Sequence, residues 1–196
     1  MIDVSFRNFH ASRDGRAIAY LTYTFPHYLI RETDTLWYQN GANPLVTIKN
    51  MVYNTDYRQK TIDSTFTSEG KSEKLTYQYP FDLLSGSEAA IYQKMTDSNF
   101  IAPVIQSRKF IDTTQVNYTN THYYEPFAGM YAPGYVDGQI GNGPIDTSLQ
   151  FSNYDNKGNI LEYIPRNGIP TSFDWGYNQE YPIAKAHALS SLIDQV

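Results

Sequence analysis

Short segments in which apolar and polar residues alternate, separated by turn signals, recur along most of this 196-residue chain. The clearest run spans 147–186. Leu149 and Phe151 alternate with Gln150 and Ser152, and Ile160, Glu162 and Ile164 alternate with Leu161 and Tyr163, the period of two that a strand with two distinct faces requires. Between them lies Tyr154-Asp155-Asn156-Lys157-Gly158-Asn159. An aspartate suits the opening of a type I turn, where its carboxylate accepts from backbone N–H groups two residues on, and Gly158 supplies the left-handed backbone that closes it. Asn167-Gly168, expected as a type I′ turn with two left-handed residues, leads to a strand with Thr171, Phe173, Trp175 and Tyr177 on one face. Pro165 and Pro170 fall at strand ends, where a missing N–H does little harm. These signals predict a three-stranded antiparallel meander.

The same grammar appears upstream in looser form. Ile18 to Phe25 reads as one strand stopped by Pro26, apolar enough on both faces to be covered on both. From Thr35 to Tyr53 an aromatic strand end is followed by a turn at Asn40-Gly41 and a β-branched strand with Val46, Ile48 and Val52. Ile62, Ser64 and Phe66 then enter a Ser68-Glu69-Gly70-Lys71 turn, and Leu75, Tyr77 and Tyr79 leave it. A single helix is expected between Gly86 and Asn99, with Ser87 as N-cap and Ile91, Met95 and Tyr92 on its apolar face. After a strand at 104–118, the glycines and prolines of 119–146 read as a long ordered loop or irregular hairpin, rich in aromatics. Ala184 to Val196 favours a helix start. The whole of 1–196 is read as one all-β domain of antiparallel hairpins with one inserted helix.

Composition narrows the function classes. With 18 Tyr and 10 Phe the chain favours pleated, half-buried surfaces. Zero Cys removes thiol catalysis and cysteine metal sites. A net charge of −5 without any basic run argues against nucleic acid and anionic membranes as partners. No apolar run reaches the length of a membrane span, and the first residues have no signal-peptide pattern, so an exported form is expected to have lost its signal.

No catalytic, cofactor or metal constellation emerges. The histidines at 10, 27, 122 and 187 share no ligand spacing. Asp155 is explained by its turn. Gly138 to Pro144 lacks the Lys-Ser/Thr and the helix of a phosphate loop. Carboxylate pairs such as Glu32 and Asp34 or Asp137 and Asp146 leave a hydrolase reading open without context for it. Trp37, Tyr124, Tyr131 and Tyr135 are the candidate ligand-binding residues, flat faces for sugar rings, whereas Trp175 alternates in phase with Phe173 and reads as cross-strand packing.

The segment FSNYDNKGNILEYIPRNG resembles the YD (tyrosine-aspartate) repeats of Rhs-type proteins, with Tyr154, Asp155, Gly158, Asn159 and Leu161 in the repeat positions. Only this copy has the full form; around Tyr38, Gln39 replaces the aspartate and Gly41 comes one place early. The resemblance implies hairpins wound side by side into a twisted or spiral sheet, in a secreted or surface protein, with the repeats as wall rather than catalyst. It implies no cofactor. The partners to expect are another part of a larger surface protein or a glycan.

Overall fold

The computed structural model describes residues 27–37 and 43–187 and, before them, four two-residue strands. Two compact units result, residues 1–30 and 31–196. In the first, β1 (Val4–Ser5) pairs antiparallel with β4 (Thr22–Tyr23), and β2 (His10–Ala11) with β3 (Ala17–Ile18). The stretch read as one strand from Ile18 therefore contains the end of β3 and all of β4, and the residues between them lie outside those described.

The second unit is one antiparallel sheet of 11 strands in which spatial order equals sequence order. These are β5 (Arg31–Leu36), β6 (Leu45–Tyr53), β7 (Lys60–Thr67), β8 (Ser72–Gln78), β9 (Gln106–Ile111), β10 (Thr114–Phe127), β11 (Met130–Ile140), β12 (Asp146–Tyr154), β13 (Ile160–Pro165), β14 (Thr171–Gly176) and β15 (Tyr181–His187). Only the β8–β9 connection is long. It carries a 3-10 turn at Pro80–Asp82 and the helix α1 (Ala89–Asp97). The helix begins one residue later than a Ser87 cap would place it: Glu88 is the N-cap and makes no side-chain cap bond.

Helix α1 covers the one compact apolar cluster among the described residues. Tyr92, Met95 and Ile105 are buried, with Leu83, Ile91, Tyr123 and Tyr131 packed against them. Burying side chains of this size stabilises by about 1.5–3 kcal/mol each, so the helix is held by its sheet-facing stripe rather than by propensity. Elsewhere both faces of the strands are mostly half-exposed. The sheet is thus a single layer over most of its width.

One expectation is decided and two are corrected. Of the long loop or irregular hairpin read over 119–146, it is the irregular hairpin that forms: β10 and β11, 14 and 11 residues, are closed by the two residues Ala128-Gly129. Its breakers are absorbed locally. Gly129 (φ 77°) and Gly141 (φ 55°) take left-handed turn positions, while register shifts after His122 and Tyr124 accommodate Pro126 and Pro133, which have no N–H to give the ladder. Second, Ala184–His187 is strand rather than helix, because it pairs with β14 from Asp174↔Ala184 to Thr171↔His187; residues 188–196 lie outside those described. Third, the 165–168 turn has a single left-handed residue. Asn167 (φ 53°) occupies the third position and the Gly168 N–H donates to Pro165 O (2.9 Å), one residue out of step with a type I′ Asn-Gly hairpin. Gly168 is required there for space, since a Cβ would lie 2.3 Å from Pro165 Cγ. The Asn40-Gly41 turn lies outside the described residues, although β5 and β6 on either side of it do pair.

The turns at Gly70 and Gly158 form as the sequence indicates, and they are the same turn. Gly70 donates to Thr67 O and Thr67 to Lys71 O; Gly158 donates to Asp155 O and Asp155 to Asn159 O, with both glycines left-handed. In the second copy the Asp155 carboxylate also accepts from the Lys157 N–H, the Asn159 N–H and Asn159 Nδ2, each at 2.9 Å. Those bonds to its charged form hold the Asp155 carboxyl below its usual range against the opposing effect of burial. Neighbouring turns touch: Met130 Sδ lies over Gly158, while Lys157 Nζ and Asn159 Nδ2 donate to the carbonyls of Asn178 and Gln179 in the β14–β15 turn. In that turn Tyr177, Asn178 and Gln179 are all left-handed, closed by Glu180 N–H to Gly176 O (3.0 Å). Tyr177 therefore leaves the face it was expected to share with Phe173 and Trp175, and Trp175 is fixed by Nε1–H to Ile160 O (2.8 Å).

Candidate functional site

Where α1 meets the long β10–β11 hairpin, five side chains from four elements form one polar chain. The Tyr92 hydroxyl donates to Glu88 Oε2 (3.1 Å). Glu88 Oε1 lies 2.8 Å from His122 Nδ1, and His122 Nε2 lies 3.0 Å from Asp137 Oδ2. Asp137 Oδ1 accepts from Thr147 Oγ1 (2.9 Å). The chain thus runs from the helix through its N-cap to β10, β11 and β12. Asn120 presents its amide to the same Nε2 at 2.7 Å, while its own Oδ1 is buried without a partner.

The backbone dictates this assembly. Asn120 is the register partner of Asp137, and His122 of Tyr135, so all four side chains are brought together by two rungs of one ladder. The Tyr135 ring then stacks on the imidazole, with centroids 4.0 Å apart and planes at 11°.

Beside this chain opens a cleft of about 280 Å³ lined by Glu88, Tyr124, Gly134, Tyr135, Phe151 and Ser152. Gly134 makes room for Tyr124, whose Cδ1 lies 3.3 Å from where a Cβ would be. Burial pushes the hydroxyls of Tyr124 and Tyr135 upward, and Glu88 and Asp137 push Tyr135 further. Tyr92 is raised strongly by burial, then by Glu88. None of these phenols is poised as a phenolate near neutral pH.

Of the four aromatic candidates, Tyr124 and Tyr135 converge on the cleft. Tyr131 is turned to the helix, its hydroxyl on Lys94 O (3.3 Å) and its ring 5.8 Å from Phe100. Trp37 stands apart just beyond β5, 63% exposed. The cluster that sequence reading missed is Glu88, His122 and Asp137. They are separated by 34 and 15 positions, and their meeting depends on the register of β10 against β11 and on where the β8–β9 connection sets down α1.

The chemistry open to the cluster is limited by geometry. The two carboxylates occupy opposite nitrogens of one ring, so they cannot close on a common ion; among the described residues no group of three acidic or imidazole side chains could hold a metal. Both ring nitrogens being engaged, neither is free as a general base for a nucleophile. The arrangement ties helix to sheet. Asp137 and Asp146, considered together from sequence, serve different partners, Thr147 and Arg166. In comparisons with known proteins the chain matches no family model and no curated protein.

Proposed function

We propose that this chain is a non-catalytic structural module, a stretch of β-hairpin wall in a secreted or surface-exposed protein. The observation that carries this reading is the strand order: 11 strands, each hydrogen-bonded to the one before it, in a sheet of mostly single-layer thickness. Such a meander extends by adding hairpins, each contacting only its neighbours, and gains surface rather than a deepening core. Three features support it. The Gly70 and Gly158 turns are copies of one device, successive turns on one rim are joined side chain to backbone, and the polar cluster is consumed in tethering α1. The tyrosine-aspartate signature at Tyr154-Asp155 agrees with a wall-building role.

Hydrogen exchange on the intact chain tests the wall. Protection is expected to peak in β10 and β11 and to fall stepwise toward β5 and β15, as nearest-neighbour coupling requires. Uniform protection of all strands would contradict a repeat wall, and turnover of any glycoside or peptide substrate that vanishes in Glu88→Gln would overturn the non-catalytic reading.

A further inference from the structure

Gly138, ninth of the eleven residues of β11, is the one glycine among those described that neither a left-handed backbone nor a close contact requires. Gly70, Gly86, Gly129, Gly141 and Gly158 have left-handed backbones. Gly134, Gly143, Gly168 and Gly176 each have an atom within 3.3 Å of where a Cβ would stand. At Gly138 φ is ordinary, and a Cβ would meet Ser148 and the Tyr118 carbonyl at 3.9 Å, plain van der Waals contact. Any strand former would fit and would hold the strand better. The register shift just before it, between Val136 and Asp137, leaves Ser148 of β12 as the extra residue while Gly138 itself stays paired with Asp146, so the bulge does not call for a glycine here, and a strand glycine that neither backbone nor packing demands marks close approach of something else to the sheet.

The space is a notch of about 320 Å³, with Gly138 as part of its floor. Asn117 and Thr119 of β10 form one wall, Asp146 and Ser148 of β12 the other, and Arg166 from the β13–β14 connection lies at its end. Its polar groups are partly committed. Arg166 Nη2 donates to Asp146 Oδ2 (2.5 Å), the Arg166 N–H donates to Ser148 O (2.9 Å), and Ser148 Oγ donates to Val136 O (2.9 Å). Thr119 Oγ1 donates to Asn117 Oδ1 (3.4 Å). What these bonds leave over is the Asn117 amide nitrogen as donor, Asp146 Oδ1 as acceptor, and hydroxyl lone pairs on both walls. The single cation and the single anion are paired with each other, so the notch has no net charge to offer an ion.

We infer that this notch binds an uncharged saccharide, a monosaccharide or the end of a short oligosaccharide, seated over Gly138. Vicinal hydroxyls each donate and accept, which matches a planar amide on one wall and a carboxylate fixed by a guanidinium on the other. The volume is at the small end of the roughly 300–1,000 Å³ of small-molecule sites.

The test is a titration of the intact ¹⁵N-labelled chain with glucose, galactose, N-acetylglucosamine, cellotetraose and chitotetraose, followed by amide shifts. The expected result is saturable shifts at 117–119, 138–140 and 146–148 with at least one of these sugars, and at least tenfold weaker binding in Gly138→Val, whose side chain fills the notch. Because Val suits a strand, the melting temperature of that variant should not fall. Asn117→Ala, an exposed change, gives a second reading that does not depend on the glycine, with several-fold weaker binding. No saturable shifts with any probe at millimolar concentration, shifts confined to the Tyr124–Tyr135 cleft, or unchanged affinity in both variants would overturn the assignment.

Discussion

Replacing Asp155 with alanine removes an acceptor that holds three N–H groups at once, and the cost can be worked out bond by bond. The carboxylate accepts from the backbone of Lys157 and Asn159 and from Asn159 Nδ2, each at 2.9 Å, and the residue is 8% exposed. A bond to a charged group contributes about 1.5–3 kcal/mol in a dry site. Here Lys157 and Gly158 are exposed, so water replaces part of what is lost, and about 1 kcal/mol per bond is the fitting value. Asp155→Ala should therefore cost about 2–3 kcal/mol, or about 5–10 °C in melting temperature for a chain of this size. Asp155→Asn should cost less, since it keeps an oxygen for the two backbone donors but sets one amide nitrogen against that of Asn159. The pH dependence has a definite sign. The folded-state pKa of Asp155 is depressed below the ordinary value near 3.9, so its contribution is fully present above that value and is lost as pH falls through the folded pKa. Urea unfolding of wild type and Asp155→Ala at pH 7 and near pH 2.5 should show the gap closing in acid. A gap below about 0.5 kcal/mol at pH 7, or one that stays constant with pH, would refute the view that the charged carboxylate organises this turn.

Three further outcomes follow from packing. Met95→Ala empties the centre of the compact apolar cluster under α1, where Met95 is 0% exposed, and should cost about 2–5 kcal/mol in urea unfolding, with faster exchange along α1. Gly168→Ala drives a methyl into Pro165 and should destabilise by more than about 1 kcal/mol, visible as a drop in melting temperature, whereas a glycine tolerated by alanine would mean the turn relaxes freely. Trp175→Phe leaves Ile160 O without its indole donor and should cost about 1 kcal/mol, with exchange rising first in β13 and β14.

The hairpin grammar was legible because it is local. Asp155 and Gly158 sit in one turn, and the alternation around Gly70 fixes which residues face together. The Gly- and Pro-rich stretch reads equally as loop or irregular hairpin because punctuation has two meanings: Gly129 does end a strand, but Gly134 and Gly138 lie within one, and the distinction depends on Tyr124 packing across and on bulges that no single-residue preference encodes. Ala184–His187 has helix-forming residues, yet a neighbouring strand with open hydrogen-bonding groups decided its state. The Glu88–His122–Asp137 cluster was illegible for a different reason. Its members share no spacing, and their meeting depends on the register of β10 against β11 and on where α1 is set down.

The joined turns also give the sheet two rims with different tolerances. On one rim, Met130 touches Gly158, and Lys157 and Asn159 reach the left-handed carbonyls of Asn178 and Gln179, so each hairpin completes the next. A loop spliced into that rim would part donor from acceptor and leave three non-glycine residues in an unfavourable conformation with nothing to hold them. The other rim bears the β11–β12 and β13–β14 connections and the notch over Gly138. That rim has ties of its own, Ser72 to Asp112 and Arg166 to Asp146 and Ser148 O, but among the described residues no run of three left-handed non-glycine residues depends on them. New recognition loops could be grafted, or arise in descent, along that side while the opposite side keeps the hairpins in step.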